Sequence, residues 1–232
     1  MIRVLVNGAD GRMGSQVVKA VYEDKDLEFV GGVSVTNIGK DAGELAGVGA
    51  LGIAIREGLG QALDDIKPDV VVDFTTPKVI FENAKTCIEH GVNMVVGTTG
   101  LTAEQRGELA ALAEQRKTSI FIAPNFSIGA VLMMKLSEEV APYLPDVEII
   151  ELHHNNKLDA PSGTAIMTAN KIDAARKAAN AQQAPDKTHE SLDGARGAKV
   201  DDIPIHSVRL PGYVAHQQVL FGGYGELLTI RH

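Results

Sequence analysis

Through the first 126 positions, apolar runs of strand length alternate with stretches whose apolar residues recur at helical spacing. The runs are Met1–Val6, Leu27–Val35, Val70–Pro77, Val92–Gly100 and Ser119–Phe126, most of them ending in Gly, Thr, Pro or Asn. Helical spacing covers Ser15–Tyr22, Leu59–Leu63, Val79–His90 and Thr102–Arg116. Strands buried on both faces read as continuous apolar runs, and their alternation with helices predicts a doubly wound parallel sheet. Between Gly39 and Gly60 the chain is glycine-rich and irregular. In such a sheet, ligands collect at the carboxyl ends of the strands, so Thr75, Gly97 to Thr99 and Ala123 to Phe126 are expected along one edge.

After Phe126 the pattern changes. Leu132–Leu144 reads as a helix, Asp146–His153 as a strand and Ala165–Ala181 as a long helix, followed by strands at Ile205–Leu210, Gln217–Phe221 and Glu226–Arg231. The expected organisation is therefore α/β, a Rossmann-like domain over 1–126 joined to an α+β domain over 127–232. Ala174–Gln183 reads as a solvated helix end. Pro185–Asp202 reads as a long exposed loop of the kind that covers a substrate.

Composition narrows the classes of function. The 232 residues are 44% hydrophobic, enough for a packed core, and carry a formal net charge of −8 with no basic run. That balance argues against nucleic acid as a partner. No apolar stretch has the length of a membrane span, and the chain opens on a strand instead of a signal peptide, so a cytoplasmic protein is expected. Cys87 is the single cysteine, which excludes an internal disulfide, and its apolar helical setting predicts an inert buried thiol. His90, His189, His206 and His216 have no metal-ligand spacing, and no metal is expected.

Candidate chemistry sits in two places. Asn7-Gly-Ala-Asp-Gly-Arg-Met-Gly14 links the first strand to the first helix. Its spacing is G-x-x-G-x-x-G, not the strict dinucleotide fingerprint, yet Gly11 and Gly14 suit close approach to a pyrophosphate and close helix packing. The second strand ends in Ser34, Val35 and Thr36 with no carboxylate, and Lys40 and Arg12 are placed near it. A pocket without a carboxylate to repel a 2′-phosphate predicts NADPH over NADH.

The other place is Glu151-Leu-His-His-Asn-Asn-Lys157, running into Asp159-Ala-Pro-Ser-Gly-Thr164. His153 and His154 are adjacent imidazoles, the side-chain type suited to proton exchange, Lys157 is a compact cation, and Ser162 or Thr164 opens a helix with free N–H groups. Paired histidines at a strand end are commonly structural, and a capping turn alone is unremarkable. Their succession reads as a carboxylate-binding, proton-delivering site.

The chain resembles the dihydrodipicolinate (4-hydroxy-tetrahydrodipicolinate) reductase family through Gly8–Gly14, Asp73-Phe-Thr75, Gly97-Thr-Thr-Gly100, Ala123-Pro-Asn-Phe-Ser127 and Glu151–Ala165. The resemblance implies reduction of a cyclic imine dicarboxylate by NADPH or NADH in diaminopimelate and lysine biosynthesis. By it, His153 and Lys157 are catalytic, and His154, Gly163 and Thr164 bind substrate. Gly8, Ala9, Asp10, Gly11, Arg12, Met13, Gly97, Thr98, Thr99, Ala123, Pro124, Asn125 and Phe126 would contact the dinucleotide. It also implies a homotetramer through the second domain's sheet. Family members continue beyond the equivalent of Thr229–His232 with a segment that returns to the nucleotide domain and carries a substrate-binding arginine. This sequence stops short of that segment. Two other readings fit parts of the pattern: a different two-domain nicotinamide-dependent dehydrogenase, and a dinucleotide sensor without turnover.

Overall fold

The computed structural model describes residues 1–232 except Pro124. The chain divides into two compact units, Met1–Pro124 and Asn125–His232. Asn125 and Phe126, grouped with the first domain by sequence, thus lie in the second unit.

The first unit is a six-stranded parallel sheet. Its strands are β1 (Ile2–Asn7), β2 (Leu27–Val33), β3 (Ile55–Arg56), β4 (Val70–Asp73), β5 (Asn93–Val96) and β6 (Ile120–Ile122), in the order β3-β2-β1-β4-β5-β6. The order reverses beside β1, and that switch is where a doubly wound sheet opens a crevice. Helices α1 (Arg12–Glu23), α2 (Ala42–Ala46), α3 (Leu59–Ile66), α4 (Ile80–Glu89) and α5 (Ala103–Arg116) connect them. Two apolar cores result: one joins Val4, Val6 and Phe29 to Val18 and Val21 of α1, the other joins Leu5, Val71, Met94 and Val96 to α3, α4 and α5. The residues of α1 that face the core, Gly14, Val18 and Val21, keep the helical repeat read from the sequence.

Two elements of this unit escaped the sequence pattern. Asp41 caps α2 through Gly43 and Glu44 and also accepts from the N–H groups of Leu51, Gly52 and Ile53. One carboxylate thereby organises the glycine-rich stretch expected to be irregular, and β3 follows it. Cys87 is fully buried, and burial aided by the charge of Asp73 pushes its thiol up to about 12.

The second unit contains α6 (Ile128–Val140), β7 (Asp146–His153), α7 (Gly163–Ala178), β8 (Ala198–Val200), β9 (Ile203–Arg209), β10 (Ala215–Gly223) and β11 (Glu226–Arg231). Its mixed sheet runs β11-β10-β7-β9-β8, with β7 parallel to β9 and antiparallel to β10. Met133 and Met134 of α6 and Ala165, Ala169 and Ile172 of α7 pack on Val147, Ile149, Ile205, Val219 and Phe221 of the sheet. Alternation along β7 therefore sends Glu151 and His153 to the helix-covered side.

Two expectations are corrected here. The supposed loop over 185–202 contains β8 and is tied down where Arg196 pairs with Glu148 and Asp186. Ala174–Gln183 is not wholly solvated either, because Arg176 is buried and donates to Pro145 O, Gln183 Oε1 and Asp202.

Candidate functional site

In the first unit, Gly8 and Gly14 are required by geometry. Gly8 has φ 79°, and a Cβ there would lie 2.4 Å from Phe74 O. A Cβ on Gly14 would lie 1.8 Å from Gly8 O, so only glycine lets α1 start against the turn. Gly11 occupies the N-cap position of α1 without a side-chain cap. The N–H groups of Arg12 and Met13 therefore have no intrahelical acceptor and form an anion cradle at the positive end of the helix. Gly8 and Ala9 contribute differently, since their N–H groups bond to Val33 O at 2.8 and 3.1 Å.

Asp73, at the end of β4, is fully buried and satisfied. It accepts from Asn7 Nδ2 (2.8 Å), Asn83 Nδ2 (3.0 Å), Thr75 Oγ1 (2.7 Å) and Thr98 Oγ1 (2.7 Å). This fan ties the ends of β1, β4 and β5 together beside a cleft of about 450 Å³ lined by Gly8, Asp10, Gly11, Ser34, Val35, Phe74, Thr75 and Asn83 among others. Thr98 is buried in that structural fan, whereas Thr99 is exposed. A Cβ on Gly97 would strike the Phe74 ring at 2.2 Å.

The sequence suggested that β2 ends without a carboxylate. In three dimensions Asp10 supplies one: its Oδ2 accepts from Thr36 Oγ1 at 2.5 Å and from Asn37 Nδ2 at 2.9 Å. Residues 26 and 27 positions apart meet because the glycine turn folds over the end of β2.

In the second unit, the end of β7 is an ion network. Glu151 is fully buried, and Arg209 from the neighbouring β9 grips it with two bonds of 2.7 and 2.9 Å. Ser162 N donates to Glu151 Oε1 at 3.3 Å, and Glu151 Oε2 is 2.5 Å from His153 Nδ1. Burial opposes the charge on Glu151, but bonds from Arg209, Ser207 and His153 outweigh it and hold the carboxyl below its ordinary value. An ionised partner at Nδ1 makes that nitrogen the donor and leaves Nε2 as the ring position that could exchange a proton. For His153 burial is the largest influence and lowers its pKa, while Glu151 resists and Lys157 and Arg209 add to the lowering.

Ser162 caps α7 by accepting from Ala165 N at 3.2 Å, which leaves Gly163 and Thr164 in the first turn with outward N–H groups. Thr164 Oγ1 accepts from Asn125 Nδ2 at 3.3 Å. His153, Ser162, Thr164, Asn125, Ser127, Gln217 and His232 are among the residues lining a small cavity of about 130 Å³. Lys157 is bonded to Asp159 at 2.7 Å, so its charge is shared. His154 Nδ1 is buried and has no partner among the described residues. Phe126 is exposed, and Ala123 is half-buried; Pro124 lies outside the described residues. Arg209 was missed in the sequence because it reads as one more polar position on a strand. Its register opposite His153 is knowable only once β7 and β9 are paired.

A nucleotide-type sheet followed by a mixed sheet with a histidine–carboxylate pair at a helix start defines an NAD(P)H-dependent oxidoreductase of two units. Family models agree over nearly the whole chain: dihydrodipicolinate reductase, N-terminus, matches residues 2–126, and its C-terminus counterpart matches 129–232. The chain belongs to the dihydrodipicolinate reductase family. It is 52% identical over 231 residues to a 4-hydroxy-tetrahydrodipicolinate reductase of Listeria monocytogenes serotype 4b (strain CLIP80459), covering 100% of this chain and 87% of that one. The corresponding enzyme of Desulfitobacterium hafniense (strain DSM 10664 / DCB-2) is 49% identical over 232 residues, covering 100% and 86%. A solved dipicolinate-bound dihydrodipicolinate reductase from Paenisporosarcina sp. TG-14 is 46% identical with a TM-score of 0.79, covering 100% and 87%. GenD2 from gentamicin A biosynthesis, solved with NAD, shares the fold at 17% identity and TM-score 0.69, covering 99% and 72%. Among the described residues no helix is long and apolar enough to cross a membrane, and no group of three or more His, Cys, Asp or Glu is placed to hold a metal ion.

Proposed function

We propose that the protein reduces 4-hydroxy-tetrahydrodipicolinate, a cyclic imine dicarboxylate, to tetrahydrodipicolinate with NAD(P)H and one proton, the ring hydroxyl leaving as water, in the diaminopimelate and lysine pathway. The observation that carries this reading is the Glu151–His153 pair beside the open first turn of α7. It offers a proton and an anion cradle together, the two things this substrate needs. Dipicolinate, the ligand named for the Paenisporosarcina enzyme, is a planar ring with two carboxylates and fits the same demand.

The roles divide by unit. The unit Met1–Pro124 forms the dinucleotide-binding domain and Asn125–His232 the substrate and oligomerisation domain. Gly8 to Met13, Gly97 to Thr99 and Ala123 to Phe126 hold the cofactor, with the pyrophosphate on the N–H groups of Arg12 and Met13. The glycine cradle, which a Cβ would fill, and the uncapped start of α1 fit that group. Bound there, the nicotinamide supplies a hydride. Gly163, Thr164 and His154 bind the substrate carboxylates. His153 Nε2 delivers the proton that hydride addition calls for, and Lys157 stabilises the charge that develops. Arg209 and Glu151 are positioning residues that fix the ring of His153.

Assembly is proposed as a homotetramer through the second unit's sheet. Both helices cover one face of that sheet, whereas Ile150, Val208 and Leu220 are half-buried on the other, against which no helix of this unit packs among the described residues. A cytoplasmic location suits NAD(P)H use and the single unpaired Cys87. The test is to purify the protein, generate substrate in situ from pyruvate and aspartate semialdehyde with a synthase, and follow nicotinamide oxidation. Substrate-dependent oxidation is expected; tight nucleotide binding without turnover would favour a sensor instead.

A further inference from the structure

The cleft of the first unit has a charge pattern that bears on which nicotinamide cofactor it takes. Among the described residues that line it, Asp10 is the only one with an ionisable side chain. The two bases near the β2 end are placed otherwise: Lys40 and Arg12 are not in that lining. Lys40 Nζ is bonded at 2.7 Å to Asn37 Oδ1, the far end of the amide whose Nδ2 holds Asp10. The cleft lining therefore carries the Asp10 carboxylate, while the Lys40 ammonium stands behind Asn37 with its bond made to the amide oxygen.

In a sheet of this order, the end of β2 is where the adenosine ribose lies, and a carboxylate there accepts a hydrogen bond from the 2′-hydroxyl. A 2′-phosphate in the same place brings two negative groups together and leaves the carboxylate without a donor. We propose that Asp10 reads the ribose 2′ position and makes NADH the preferred cofactor of this enzyme. The carboxylate is preset for that task. Thr36 and Asn37 converge on Oδ2, and a carboxylate has acceptor capacity beyond those two bonds. Burial works against the charge, but bonds from Ser34, Thr36 and Asn37 outweigh it and keep the carboxyl ionised well into the acid range. Asn37 itself holds φ 54°, a left-handed turn that aims its amide back at Asp10. The usual acidic residue of β2 is thus replaced by one that reaches the same point from the glycine turn.

This proposal rests on the nucleotide-site reading, and the experiment separates the two. NADH and NADPH are titrated by nicotinamide fluorescence into the wild type, Asp10→Asn and Asp10→Ala, with AMP and its 2′-phosphorylated form as competitors on the wild type. The expected result is that the wild type binds NADH about tenfold more tightly than NADPH and AMP more tightly than its 2′-phosphate. Asp10→Asn, which keeps the shape and removes the charge, should close the gap mainly by tightening NADPH. Equal or tighter binding of NADPH by the wild type would overturn the proposal. So would an equal loss of both nucleotides in both variants, the signature of a merely structural Asp10. Binding of neither nucleotide to the wild type would defeat the nucleotide-site reading itself and take the proposal with it.

Discussion

The two units make their sites by opposite means. In the first, function is written in the backbone: Gly8 and Gly14 let a turn and a helix start approach to within van der Waals distance, and the polar atoms of Asp73, Thr75 and Thr98 are consumed in holding strand ends together. In the second, function is written in side chains: Glu151, Arg209 and His153 form a buried ion network on adjacent strands. Backbone sites tolerate little change in shape. Ion networks tolerate little change in charge, because removing one member leaves another charge buried and unpaired.

That contrast can be broken from either side, and the largest effect is expected in the first unit. Gly14→Ala puts a methyl against the Gly8 carbonyl and should cost about 3 kcal/mol or more, with loss of nucleotide binding, measured by melting and by NADH titration. An unperturbed variant would mean that the turn is not set by glycine. In the second unit His153→Gln should lower kcat roughly 100-fold or more, the scale of a lost general acid. A raised KM at unchanged kcat would move His153 from proton transfer to binding.

Glu151→Gln sharpens the comparison further. It should cost about 2 kcal/mol by leaving Arg209 underpaired. Because Glu151 is a group that raises the His153 pKa against its burial, the variant should also shift the His153 limb of the pH profile to lower pH. Stability alone would move in a purely structural role, and the pH limb would stay. Thr164→Ala, by contrast, should raise KM for substrate by about fivefold with little change in kcat, as expected for one lost hydrogen bond.

A smaller effect is the acid sensitivity of the second unit's carboxylates. Glu148 and Glu151 have folded pKa values held below the ordinary 4.5 by their arginine and histidine partners, working against burial. Groups with depressed folded values contribute stability that is fully present above 4.5 and is lost as pH falls through the folded values. Acid melting should therefore weaken the second unit over that window, and Glu148→Gln should flatten the dependence. A melting temperature independent of pH below 4.5 would contradict the network.

Much of this was legible in the chain, for physical reasons that differ by element. β7 and β11 were read at their true bounds, Asp146–His153 and Glu226–Arg231, because polar turns flank clear strand patterns. Helix starts were less visible. α6 begins at Ile128 and α7 at Gly163, several residues and two residues before the apolar spacing becomes regular. β3 has two residues and β8 three, too short for any period to show. The glycine loop and the His153–Lys157 run could be recognised because their residues are neighbours in sequence. Asp10 at the end of β2 and Arg209 on Glu151 could not, since each meets its partners only after strands pair, across 26 and 58 positions.

Isotope transfer reads whether the cofactor hydride and the His153 proton reach one substrate. NADH deuterated at the transferable nicotinamide position is incubated with the protein and substrate generated in situ, and the product is weighed by mass spectrometry. One deuterium is expected in the tetrahydrodipicolinate ring for each cofactor oxidised, with a rate that collapses in His153→Gln while NADH still binds. Cofactor that binds but transfers no deuterium, or transfer undiminished in His153→Gln, would contradict that mechanism.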